Sequence, residues 1–142
     1  MKKIKRYEIV EHTADIGIVV HGETIGNIFE NAAYGMFCLI TDLNEVLPRE
    51  NITIRLHSQN LEELLVSWLN ELLYRFNQTK TLFKEFKTEE IDDKQLVIEA
   101  YGEIYDEKKH ILEKEIKAAT YHQLKIEQAV NGKWEARIIF DI

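Results

Sequence analysis

Two segments of the chain place apolar residues at intervals of three and four, and most other segments alternate apolar with polar residues. Residues 24–40 form the first helical pattern, and the second follows Asn60, which stands three residues before Glu63 as in a helix-capping pair. The alternating segments, which predict strands, are 7–11, 15–21, 52–56 and 96–105. This order predicts an α+β single domain over residues 1–142, with mostly antiparallel β-sheets packed on two amphipathic helices.

The remaining segments have weaker patterns. Residues 42–49 contain the only proline and predict a loop, and the charged segment 79–93 predicts a short strand near Phe83 and Phe86. Asn131 and Gly132 predict a two-residue hairpin turn. The strands predicted in the C-terminal third are 111–120, 124–130 and 133–142.

The number of cysteines and the length of the apolar segments indicate the cellular compartment of the protein. Cys38 is the only cysteine, which excludes an internal disulfide and a cysteine-based zinc cluster. The basic start is followed by Glu8 and Glu11 instead of the apolar segment of a signal peptide. The longest near-apolar stretch, 32–40, is far shorter than the ~20 residues of a membrane span. We therefore expect a cytoplasmic protein that does not enter a membrane.

The formal net charge of the chain is −7 at pH 7. No cluster of Lys and Arg interleaved with aromatic residues lies beyond the first six positions. A phosphate backbone would be repelled by such a protein, so we expect no direct stable binding of nucleic acid. A basic protein partner or a cation fits the charge better.

Motifs for several enzyme classes are missing from the sequence. It contains no phosphate-binding glycine loop, no serine nucleophile elbow and no H-E-x-x-H zinc motif. None of the five histidines stands three or four residues from another, so each is expected to be a structural or surface residue, including His110 in the polar turn 106–110. Cys38 lies beside the apolar stripe of the first helix and is expected to be an inert thiol.

Two groups of polar residues lie next to strands whose apolar residues are predicted to be in the hydrophobic core. Residues 11–17 place Thr13 and Asp15 between two strands, and the sequence ends with Asp141 beside the α-carboxylate of Ile142. Adjacent carboxylates repel each other unless a cation lies between them, and hard cations prefer clustered oxygens. A third carboxylate such as Asp15 would complete a small site. Spacing alone leaves the other interpretation open, that these acids are unrelated and solvated.

Three sequence blocks resemble the archease family. They are residues 11–17 (EHTADIG), 115–122 (EIKAATYH) and 138–142 (IIFDI). The similarity extends to Glu30 and its neighbours in the first helical segment and to the Leu- and Trp-rich second one. Ala119 stands where a larger aliphatic residue is usual in the family.

The resemblance implies a function and a set of functional residues. Archeases assist the RtcB-type RNA ligase of tRNA splicing by promoting formation of its guanylylated histidine, and they have no ligation site of their own. The family implies a divalent ion, most commonly calcium with magnesium or manganese as alternatives, bound by Asp15, Asp141 and Ile142. It also implies a functional role for Lys117, and it makes His12 a candidate for partner contact without a metal role.

Two classes of function remain open at this point. The first is an accessory protein that activates the ligase and holds a metal ion at its carboxylates. The second is a stand-alone metal-dependent enzyme or small-molecule binder that uses the same carboxylates with Lys117.

Overall fold

The structure, a computed structural model, describes residues 6–11 and 14–142 of the chain. Two helices and seven strands alternate irregularly along it. In chain order the elements are β1 (Tyr7–Glu11), β2 (Asp15–Gly22), α1 (Ile25–Ile40), β3 (Glu50–His57), α2 (Leu61–Thr79), β4 (Thr81–Ile91), β5 (Gln95–Ile104), β6 (Ala118–Gln128) and β7 (Trp134–Asp141). A single 3-10 turn, Leu43–Glu45, lies in the loop after α1. The expected α+β class is confirmed.

The strands form two antiparallel sheets. The first sheet has the order β1-β2-β7-β6 and the second has the order β3-β5-β4. Because β7 pairs with both β2 and β6, the last strand of the chain lies at the centre of the first sheet. Sequence blocks that are far apart along the chain therefore meet on neighbouring strands.

The two helices pack against both sheets. Helix α1 contacts β1, β2 and β7 of the first sheet and β4 of the second, and α2 contacts β6 together with all three strands of the second. Side chains of α1 are buried on most sides, which explains why its apolar stripe is wide. Glu30 fixes α1 to β4, since its Oε2 accepts hydrogen bonds from Thr88 N at 3.0 Å and Thr88 Oγ1 at 2.7 Å.

Both helices begin with a side-chain cap, and the cap of α2 at Asn60 is the one that the sequence pattern predicted. The side chain of Thr24 accepts from Asn27 N at 3.1 Å, and that of Asn60 accepts from Glu63 N at 2.8 Å. Helix α2 is followed by the C-cap residue Lys80, whose backbone is left-handed with a φ of 59°. The core between helices and sheets holds fully buried aromatic side chains, namely Trp68, Phe29, Phe37, Phe83 and Phe140.

Several strand boundaries were predicted wrongly. The separately predicted strands 111–120 and 124–130 are the single strand β6. The strand predicted from Ile111 begins instead at Ala118, because residues 111–117 are held by long-range bonds such as Thr41 Oγ1 to Ile111 O at 2.7 Å. Strand β4 has 11 residues and is much longer than predicted; two register shifts break its alternating pattern.

The hairpin between β6 and β7 forms at the predicted place but with a different turn. Gly132 N donates to Ala129 O at 2.9 Å, which places Val130 and Asn131 at the centre of the turn and Gly132 after it. Gly132 has a φ of 87°, whereas Asn131 is not among the described residues with positive φ. The predicted two-residue type I′ turn needs positive φ at both central residues, so this loop is a longer one.

Candidate functional site

Asp15 and Asp141 lie directly opposite each other at one corner of the first sheet. The β2–β7 register pairs Asp15 with Asp141, Ile16 with Phe140 and Gly17 with Ile139. Directly opposite residues of an antiparallel pair point to the same face, with Cβ atoms about 4.5–5.5 Å apart. Two carboxylates 126 positions apart in the sequence therefore share one corner, which spacing alone did not establish.

Gly17 shapes the neighbouring part of this corner. A Cβ atom at Gly17 would lie 2.8 Å from Ile139 Cδ1 and 3.3 Å from the carbonyl oxygen of Ile138. The side chain of Ile139 therefore lies across Gly17, and it is only 2% exposed. A glycine two residues after Asp15 thus lets an apolar side chain pack beside the carboxylates.

The backbone brings Lys117 to the same corner. Lys117 N donates to the carbonyl oxygen of Asp141 at 2.8 Å, and the next residue, Ala118, is the β6 partner of Asp141. Ile116 is 5% exposed and anchors the segment in the core. The side chain of Lys117 itself is exposed.

Of the five residues predicted from the sequence, four meet at this corner. Strand pairing joins Asp15 to Asp141, a backbone hydrogen bond joins Lys117 to Asp141, and Ile142, 38% exposed, follows Asp141 directly. His12 lies outside the described residues. We refer to Asp15, Lys117, Asp141 and Ile142 as the carboxylate corner.

The donor atoms of the carboxylate corner suit a hard cation. Like charges directly opposite in a sheet are destabilising, and a cation between Asp15 and Asp141 would remove that repulsion. Within residues 6–11 and 14–142 no three His, Cys, Asp or Glu side chains form a cluster, so the described side chains supply two carboxylates here. The α-carboxylate of Ile142 would supply the third. An all-oxygen set of this kind fits calcium or magnesium better than a soft metal.

Asn70 of α2 fixes the start of β6 beside the corner. Its Nδ2 donates to Ala119 O at 3.1 Å, and its Oδ1 accepts from Ala119 N at 2.8 Å. Thr120 Oγ1 donates to Ile139 O at 2.8 Å. These bonds hold β6 in place just before its register shifts between Thr120 and Lys125, where Gln123 has a φ of 51°.

A buried polar cluster around Glu103 lies elsewhere and was not predicted from the sequence. Glu103 Oε1 accepts from Leu47 N at 3.1 Å, Lys109 Nζ at 2.7 Å and His110 Nε2 at 2.8 Å. Burial alone would raise the pKa of Glu103. The hydrogen bonds outweigh burial and lower that pKa to about 2. The cluster connects β5 to the loop after α1 and to the turn 106–110.

His110 is a structural residue of that cluster. It is only 2% exposed, and its Nδ1 accepts from Asp106 N at 3.0 Å. The proton therefore resides on Nε2, which Glu103 Oε1 and the Glu45 carbonyl oxygen share. The alternating strand pattern placed Glu103 among surface residues, so the sequence carried no signal for this contact.

Cys38 behaves as an ordinary, half-buried thiol. Burial raises its pKa, although hydrogen bonds with Tyr7 and Tyr34 oppose the effect. A thiol with a raised pKa carries little reactive thiolate at neutral pH. This agrees with the inert role expected from the sequence.

Comparison with known proteins places the chain in a family. The model of the Archease protein family matches residues 7–142. Protein archease of Methanosarcina mazei is 43% identical, with 97% of each chain covered. Protein archease of Pyrococcus furiosus is 39% identical over 98% of this chain and all of its own length.

Two solved structures share the fold. The solution structure of Methanobacterium thermoautotrophicum protein 1598 has a TM-score of 0.83 and 34% identity, with 98% of this chain covered and 100% of its own. A Thermotoga maritima crystal structure, described as an archease and possible chaperone, has a TM-score of 0.62 at 20% identity and supports the fold alone; 100% of this chain and 98% of that one are covered. No described helix is long and apolar enough to span a membrane. The family match and the identities over nearly the whole length show that this chain belongs to the archease family.

Proposed function

We propose that this protein is a non-catalytic accessory of an RtcB-type RNA ligase and promotes formation of the ligase's guanylylated histidine. The observation that carries the proposal is the meeting of Asp15, Lys117 and Asp141 at one exposed corner of the first sheet. These residues come from all three sequence blocks that resemble the archease family. Membership of that family supports the proposal independently.

The absence of enzyme motifs supports an accessory role. The sequence has no phosphate-binding glycine loop and no nucleophile elbow, which are the parts that a nucleotide-dependent enzyme or a serine hydrolase requires. The two carboxylates and Lys117 by themselves provide no group that recognises a nucleotide base. The corner is suited to binding an ion and contacting a protein.

A divalent cation belongs to the proposed function. Asp15, Asp141 and the α-carboxylate of Ile142 would hold it, with calcium the first candidate and magnesium or manganese the alternatives. When bound, the ion supplies a fixed positive charge that neutralises the opposed carboxylates. The chain's own part is to bring the carboxylates to one place through the β2–β7 register.

Lys117 would present its ammonium group to the ligase. Its amide is fixed to the Asp141 carbonyl at 2.8 Å, so the backbone from which the side chain projects is held by the same strand as one carboxylate. A rigid backbone lowers the entropic cost of ordering the lysine on binding. The ammonium and the carboxylates would then act on one surface of the ligase.

A multiple-turnover ligation assay with the cognate ligase tests the proposal. We expect ligation to accelerate when wild-type protein is added and to stay slow with Lys117→Ala. Lys87→Ala is the matched control, since Lys87 is exposed on the second sheet and should stimulate like wild type. RNA joining by this protein without ligase, or no stimulation by the wild type, would refute the accessory role.

A further inference from the structure

The first sheet has a face that its helices leave open. Its other face is core, because Ile16, Ile18 and Phe140 are at most 1% exposed and α1 packs on these strands. The open face carries the residues that alternate with them. By register these are Asp15, Gly17, Val19 and His21 of β2, Glu135, Arg137, Ile139 and Asp141 of β7, Lys125 and Glu127 of β6, and Glu8 of β1.

Ion pairs occupy most charged groups in the middle of the open face. Lys125 Nζ lies 3.1 Å from Glu127 Oε1 and 3.7 Å from Glu135 Oε2. His21 lies 3.6 Å from Glu8 and 3.9 Å from Glu135. Carboxylates outnumber permanent cations in this region. The ammonium group of Lys125 is already paired with two carboxylates, those of Glu127 and Glu135.

Among the described residues, Arg137 is a charged residue of this face that is not held in such an ion pair. It stands between Val19 on β2 and Lys125 on β6. Arg137 is half-buried, and its Nε has no hydrogen-bond partner in the part of the chain that the structure describes. The ion pairs of the described residues on this face do not include it. A guanidinium group has five N–H donors. Burying one of these donors without a hydrogen-bond acceptor costs free energy. Lys125, the residue directly opposite, is a second cation and cannot satisfy it.

We propose that Arg137 is the residue on which a carboxylate of the ligase docks, a proposal that rests on the accessory function above. Arginine binds a carboxylate through two parallel hydrogen bonds, a geometry that lysine cannot provide. Arg137 shares its face with Asp15 and Asp141, so a protein bound at the carboxylate corner would extend over it. The docking surface is the exposed part of this face around Arg137, which excludes the buried Gly17 and Ile139.

Charges around Arg137 define its partner more closely. Glu135 lies two residues before it on β7, Glu127 is opposite Glu135 on β6, and Glu8 lies on β1, beyond the Val19 that is opposite Arg137. The complementary surface is a single Asp or Glu flanked by Lys or Arg. A nucleic-acid backbone fits less well, because its successive phosphates would meet these glutamates and the carboxylate corner.

Binding and stability measured together test the inference. We expect Arg137→Met, which keeps the apolar stem, to leave the melting temperature unchanged or to raise it, because a buried unpaired donor is removed. The same variant should weaken ligase binding on the order of tenfold, and Arg137→Glu should weaken it further. Arg55→Glu, an exposed charge reversal on β3, is the matched control and should bind like wild type.

Each outcome separates the two proposals. Wild-type affinity for Arg137→Met and Arg137→Glu would overturn the docking role while leaving the accessory function intact. Failure of the wild type to bind or stimulate the ligase would overturn both. A clear fall in melting temperature for Arg137→Met would assign Arg137 to the fold instead. If Arg137→Glu abolished RNA binding by the free protein and left ligase affinity unchanged, the docking role would be overturned. The group bound by Arg137 would then be an RNA phosphate and not a carboxylate of the ligase.

Discussion

The indole Nε1 of Trp68 donates a 2.9 Å hydrogen bond to the carbonyl oxygen of Phe29, and so the middle of α2 is tied to α1. Both side chains are 0% exposed. The ring of Trp68 also packs edge-on against Phe86 of β4, with ring centroids 5.9 Å apart. One side chain therefore connects both helices and the second sheet.

Replacing Trp68 by Phe should destabilise the fold by roughly 2–3 kcal/mol. The smaller ring leaves a cavity and removes the hydrogen bond, although Phe29 O lies within a helix and keeps its helical partner. The midpoint of urea denaturation measures the loss. Tyr74→Phe on the exposed side of α2 is the control, and a midpoint as low as that of Trp68→Phe would contradict the assignment.

Gly102→Ala should lower the free energy of unfolding much more than the addition of one methyl group would usually do. A Cβ at Gly102 would lie 1.9 Å from Leu82 O and 2.7 Å from Leu82 C, both backbone atoms of the paired strand β4. The strands would have to separate, at a cost of about 4 kcal/mol or more. Gly132→Ala has no atom within 4 Å but a φ of +87°, so it should cost only about 1 kcal/mol. Equal chemical denaturation midpoints for the two variants would contradict this.

The Glu103 cluster should make stability depend on acid pH. The pKa of Glu103 is lowered to about 2 in the folded protein, against roughly 4.3 for an unfolded glutamate. Its ionised form therefore stabilises the fold above about pH 4.3, and the contribution is lost as the pH falls toward 2. Glu103→Gln should be less stable than wild type at pH 7, and the difference should shrink on acidification.

Thermal melts of both proteins between pH 7 and pH 2.5 would measure that convergence. A difference that stays constant with pH would show that Glu103 acts through packing. His110→Ala should also lower stability, because Asp106 N loses its acceptor and Glu103 loses one of its three donors.

Extending the chain by two glycines tests the metal ligands. The extension converts the α-carboxylate of Ile142 into a neutral amide, and calcium affinity should fall about tenfold. Asp141→Asn should weaken binding comparably, whereas His57→Ala, exposed at the end of β3, should not. Calcium titration calorimetry on the wild type, the extended protein and the two substituted variants measures these affinities. Unchanged affinity in the extended protein would exclude the terminal carboxylate, and no binding by the wild type would remove the metal site.

Local sequence patterns predicted the parts of the fold that local physics controls. Asn60 could be predicted as a helix cap because capping joins residues only three apart. The apolar spacing of both helices and the alternation in β1, β2, β3 and β5 reflect burial on one side of each element. The candidate residues came from motifs, and the structure adds that Asp15 and Asp141 are opposed.

Long-range contacts account for what the sequence could not indicate. Residues 111–117 look like a strand locally but are fixed by bonds such as Glu113 N to Ile40 O at 2.8 Å. Glu103 alternates like a surface residue, yet Lys109 and His110 turn back to bury it. Arg137 reads as an ordinary exposed residue, and only the strand register reveals Lys125 beside it.

The bonds between Asn70 and Ala119 have a consequence for behaviour at high concentration. Strand β6 is an edge strand, and an uncovered edge invites pairing with another molecule. The Asn70 side chain occupies Ala119 N and O, and the left-handed Gln123 then disrupts the regular ladder. A strand from a second copy would find no continuous row of open backbone groups at this point. One asparagine on a helix thus helps to keep the protein from polymerising through its own sheet.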